Sequence, residues 1–166
     1  MNSNFVFSQT NSKQFFYESN DTVNLFAFIG RKISITEFDP KKKGLKEKIE
    51  IDSITGDSII RRAYTTDYAF NAKYIILKPV LNSLKADTVD FVVYDHYGRP
   101  GFENYETVLL YISKSKEGDF YFHQKYQYDE LHKSSKGIWK GKKGESIQCL
   151  FLKRKTEVFK ARGIFK

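Results

Sequence analysis

The sequence predicts a mainly β protein: a single-domain antiparallel β-sandwich or open barrel of about 8–10 strands with little helix. Three observations carry that expectation. Runs of β-branched and aromatic residues recur at short spacing along the chain, with Gly, Pro, Asn and Asp punctuating them. The aromatic share is 16%, with 15 Phe and 11 Tyr in 166 residues, which supplies a core and excludes a disordered chain. Finally, no amphipathic stretch is long enough to serve as a crossover helix, so doubly wound α/β nucleotide-binding folds are excluded.

Residues 1–24 are rich in Asn, Ser, Gln and Thr and read as a polar N-terminal arm, with Phe5, Phe7 and the trio Phe15-Phe16-Tyr17 as anchors. Residues 25–166 read as the single β-rich domain. From Leu25 to Phe38 the sequence alternates apolar and polar, and Gly30 breaks the alternation, which predicts one long bent strand or two short ones. Asp39 to Gly44 has turn chemistry around the charge run Lys41-Lys42-Lys43. Two short strands follow around Thr55-Gly56-Asp57. The segment YAFNAKYIIL sets Phe70, Ala72 and Tyr74 on one face of a core strand, and TVDFVVYDHY reads as a strand covered on both faces.

The clearest hairpin is ETVLLYISKSKEGDFYFHQKYQY, turning at Lys116-Glu117-Gly118-Asp119. Strand period places Phe120, Phe122, Gln124 and Tyr126 on one face, expected to be inward, and Tyr121, His123, Lys125 and Gln127 on the other. DELHKSSKG reads as a turn, SIQCLFLK as a strand with Cys149 buried in it, and KTEVFKARG as a short helix capped by Thr156 and stopped by Gly163.

Charge is unevenly distributed. The net charge is +8, yet residues 1–130 hold 17 Lys and Arg against 18 Asp and Glu, while residues 131–166 hold 11 against 2. A basic end of this kind draws polyanions or acidic proteins. The competing explanation is compositional, because 22 of the 28 basic residues are Lys and only six residues are Ala.

Chemistry-bearing residues are sparse. A single cysteine excludes an internal disulfide and multi-cysteine metal sites. His96, His123 and His132 lack the spacing that preorganises a metal, so neither metal nor cofactor is expected. No nucleophile elbow, phosphate loop or dinucleotide fingerprint occurs. The candidate contact residues fall in two segments. Asp95, His96 and Arg99 lie at a strand end, where alternation keeps Asp95 from orienting His96 and an Asp-capped turn is the plain alternative. Trp139, Lys140, Lys142 and Lys143 combine an aromatic ring with cations near glycines. Gly137-Ile138-Trp139 is similar to the glycine–tryptophan element of lipocalin-like barrels, but that element lies near the first strand and this one near the end, so the family is not assigned.

These features favour a non-enzymatic binding or accessory protein acting through protein–protein contacts in a larger assembly. An alternative is a polyanion-binding module, nucleic acid included, using residues 131–166. A third is a small β-barrel enzyme built on His96. No run reaches the ~18 apolar residues of a membrane span, and residues 1–16 lack a basic start before an apolar core. Neither a membrane span nor a signal peptide is therefore expected in the chain as it stands, and its location is left open.

Overall fold

The computed structural model describes residues 15–40, 48–51, 58–61 and 67–166. The mainly β expectation holds. Six strands form one sheet: β1 (Phe26–Phe38), β4 (Tyr68–Leu81), β5 (Thr88–Asp95), β6 (Thr107–Lys114), β7 (Tyr121–Lys133) and β8 (Trp139–Gly141). Between β1 and β4, β2 (Lys48–Ile51) and β3 (Ser58–Arg61) pair antiparallel as a separate ribbon, while the Thr55-Gly56-Asp57 turn and Lys41–Lys43 lie outside the described residues.

The sheet order is β5-β4-β1-β6-β7-β8, and a short parallel contact of Phe91 and Val92 with Tyr121 and Phe122 brings β5 back onto β7. The pairings of β5, β4, β1, β6 and β7 thus run in a ring. Its interior holds Phe28, Phe70, Tyr74, Phe91, Phe102 and Leu110, with Phe102 entering from a 3-10 helix over Gly101–Asn104.

β1 is the long bent strand that its sequence predicts. Its register against β4 shifts at three places, one between Ile29 and Gly30, and a Cβ on Gly30 would come within 2.9 Å of the Phe28 ring. Close packing, as much as the bend, demands glycine there.

A second apolar layer lies outside the ring. The segment SIQCLFLK is not a strand but most of helix α1 (Ile147–Arg154), and the chain continues through a π-helical turn over Lys155–Phe159. Ser146 caps the helix by accepting the Cys149 N–H at 3.1 Å. Ile147, Leu150, Phe151 and Phe159 then pack with Leu25, with Ala27 and Ile29 of β1, and with Leu109 and Tyr111 of β6. Helical phase puts Cys149 on the exposed side, which overturns its expected burial. Thr156 sits inside the helical run, its hydroxyl donating back to the Leu152 and Lys153 carbonyls, while Gly163 at φ +70° ends the run as expected.

The strand covered on both faces is β6, buried from Thr107 to Ser113; β5 alternates, with Val89, Phe91 and Val93 in and Tyr94 out. DELHK extends β7 rather than turning, and the turn to β8 is confined to Ser134–Gly137.

Two cavities beside the sheet

The inward and outward sets predicted for β7 do not survive. Leu110 pairs with Tyr128, but Ile112 pairs with His123, so residues 124–127 bulge out opposite Tyr111. His123, Gln124 and Gln127 are buried, Phe122 is half-buried, and Phe120 and Tyr126 are exposed. The bulge is held by side chains. His123 Nε2 donates to the Gln127 carbonyl at 2.8 Å, Arg162 donates to the Lys125 carbonyl at 3.0 Å and to Gln124 Oε1 at 2.9 Å, and Arg154 donates to Gln127 Oε1 at 3.1 Å. Donors from three places thus replace the ladder bonds that the bulge forfeits. Because Nε2 carries the proton in that bond, Nδ1 is the unprotonated nitrogen of the neutral ring. Burial holds that ring neutral by pushing the His123 pKa down to about 4.

The bulge walls a cavity of about 380 Å³ with the end of β5 and the turn after it, lined by Asp95, Tyr97, Arg99, Phe102, His123, Tyr126 and Tyr128 among others. Two of the three candidate residues at the strand end line it. Asp95 is buried and accepts the Tyr97 N–H at 2.9 Å, the Asp-capped turn read from the sequence. Arg99 makes a two-point ion pair with Glu103, both contacts at 2.6 Å, and Glu103 is held below the usual carboxylate range chiefly by that hydrogen bond. His96 stands beside the cavity and pairs not with Asp95 but with Asp67, at 3.2 Å. The other Asp67 oxygen takes Lys125 at 2.5 Å, and that bond, ahead of His96, lowers the Asp67 pKa. His96 is thus tied to an acid 29 residues away.

The second segment builds a different place. Trp139 and Lys140 line a groove of about 440 Å³ with Phe15, Phe16, Lys78, Lys133 and Ile147. Lys133 Nζ lies 4.9 Å above the Trp139 ring and Lys78 Nζ lies 4.7 Å from that of Phe15. None of the three lysines pairs with a carboxylate among the described residues. Lys142 and Lys143 stand apart from the groove on the turn beyond β8, with Lys142 Nζ 3.8 Å from Glu130. Lys140 itself is half-buried in β8, so the stretch 140–144 is not the uniformly exposed loop that its composition suggests.

The basic end is also partly structural. Arg154 donates to Asp129 at 2.7 Å and to the Tyr128 carbonyl at 2.8 Å, and Tyr111 donates to the other Asp129 oxygen at 3.1 Å. Lys155 pairs with Glu18 at 2.5 Å. Sequence reading missed Tyr126, Tyr128, Lys78 and the groove face of Phe15 and Phe16, since only chain pairing brings them together.

Among the described residues, no three His, Cys, Asp or Glu side chains stand close enough to share a metal, and no helix is long and apolar enough to cross a membrane. Comparison with family models, curated proteins and solved structures finds no match, so the functional reading rests on the two cavities alone.

Proposed function

We propose that this protein is a non-catalytic binding module of a larger assembly and that the Trp139 groove takes an acidic segment of a protein partner. The supporting observation is the pairing of an aromatic and aliphatic floor with three ammonium groups, Lys78, Lys133 and Lys140, that no carboxylate neutralises among the described residues. Such a floor fits an apolar side chain, and the lysines fit carboxylates beside it. Nucleic acid, the second reading, needs an open aromatic face on which a base stacks. Lys133 occupies one face of Trp139, which favours the protein partner.

Trp139 is the single tryptophan, so its emission reports the groove directly. Titration with a peptide alternating Glu and Phe is expected to shift that emission saturably, and a Lys133→Gln/Lys140→Gln variant to lose most of the shift. Saturation by single-stranded oligonucleotide, with the peptide silent, would replace this reading by the polyanion one.

A further inference from the structure

The other cavity carries a second inference, independent of the groove. Tyr126 has φ +65°, a left-handed conformation rare for a bulky residue. Burial does not explain that strain, because Tyr126 is 43% exposed. The strained backbone turns the ring outward at the cavity mouth, where its centroid lies 6.0 Å from that of Tyr97, itself 86% exposed. Phe102 and Tyr128 add two more rings, with centroids 5.9 Å apart. Room is kept for them at Gly101, where a Cβ would fall 2.6 Å from the Tyr128 hydroxyl.

Asp95 sets the polarity of this aromatic enclosure. It is 7% exposed, and while one carboxylate oxygen accepts the Tyr97 N–H, the other has no partner among the described residues. Of the cations nearby, Arg99 pairs with Glu103 and Lys125, whose Nζ lies 5.4 Å from the Tyr126 ring, pairs with Asp67, while Arg162 is held by Gln124 Oε1 and the Lys125 carbonyl. His123, in the wall, is neutral. A carboxylate without a counter-ion in the wall of a cavity lined by aromatic side chains is a setting for a positive guest.

We propose that this cavity binds a small organic cation, an amine or quaternary ammonium, on the Asp95 carboxylate with Tyr97, Phe102 and Tyr126 around it. The probe is choline, titrated into the full chain at neutral pH and followed by calorimetry and by NMR of the His123 ring. Its uncharged carbon isostere, with tert-butyl in place of trimethylammonium, is the control. Choline is expected to saturate and the isostere not to. Asp95→Asn, which keeps an oxygen for the Tyr97 N–H, is expected to weaken binding at least about tenfold.

Tyr126→Gly separates function from folding. Glycine relaxes the left-handed backbone, so the melting temperature should hold or rise while choline affinity falls at least about tenfold. Equal binding of choline and its isostere overturns the proposal, as does unchanged affinity in Asp95→Asn or no saturation by choline. Sedimentation with phosphatidylcholine vesicles in place of saturation by free choline overturns the small-ligand form of it.

Discussion

His123 and Phe122 are neighbours whose burial runs opposite to simple alternation, and the difference is measurable. Phe122 is half-buried, so Phe122→Ala should cost only about 1 kcal/mol. His123 is 6% exposed and its Nε2 closes the bulge, so His123→Ala should cost about 2–4 kcal/mol through a cavity and an orphaned Gln127 carbonyl. Denaturant midpoints of the two variants test the order, and a larger loss in Phe122→Ala would restore the alternating register. The same imidazole makes stability depend on pH. Its native pKa is about 4 against 6.5 when exposed, so between these values the unfolded chain binds the extra proton and stability rises with pH. Lowering pH from 6.5 to 4 should remove on the order of 3 kcal/mol, with no further loss from this group below that range. Urea titrations of the parent and His123→Asn across that window isolate the effect, and parallel curves would rule it out.

At the scale of elements, α1 shows why a short apolar run is ambiguous. In SIQCLFLK, Ile147, Cys149 and Phe151 match a strand, while Ile147, Leu150 and Phe151 match a helix at i, i+3 and i+4. The deciding signal is Ser146, a capping residue immediately before the run. Ser146→Ala should therefore destabilise the protein by about 1 kcal/mol, read as a lowered melting temperature. Removing the arginine at the helix end should cost more. Arg154→Ala leaves Asp129, whose side chain is 14% exposed, without its cation and frees Gln127 and the Tyr128 carbonyl, for a loss of about 3 kcal/mol. A loss as small as that expected for Ser146→Ala would mean that Arg154 is a surface charge and the bulge stands without it.

For the whole molecule, the charge map divides by role. Arg154, Lys155 and Arg162 are spent on Asp129, Glu18 and the bulge carbonyls, so the excess of the basic end overstates what it offers a partner. Lys78, from a strand outside that end, joins Lys133 and Lys140 at the groove. Retention on an anionic column should fall most for a Lys78→Gln/Lys133→Gln/Lys140→Gln variant and least for the same change at Lys41, Lys42 and Lys43, which acids balance in sequence. The difference should shrink as salt rises, because screening acts over ~8 Å at physiological ionic strength. Equal elution of the two triple variants would make the attraction a matter of total charge.

Most strands were legible in the amino-acid sequence because each is a local pattern. Alternation marks β4 and β5, glycine marks the bend of β1, and two β-branched and aromatic runs about a Gly-Asp turn mark the β6–β7 hairpin. The turn after β5 was legible too, because an Asp at a strand end caps it. Tertiary structure alone decided what depends on partners distant in sequence. The β7 bulge exists because His123, Arg154 and Arg162 satisfy its carbonyls and side chains, and no local period announces that two of these donors arrive from the C-terminal segment, 27 and 37 residues away from the groups they bond. The α1 segment became a helix because its apolar stripe found the outer faces of β1 and β6. Neither cavity was readable for the same reason: period and propensity act within an element, whereas a cavity is made where several elements fail to touch.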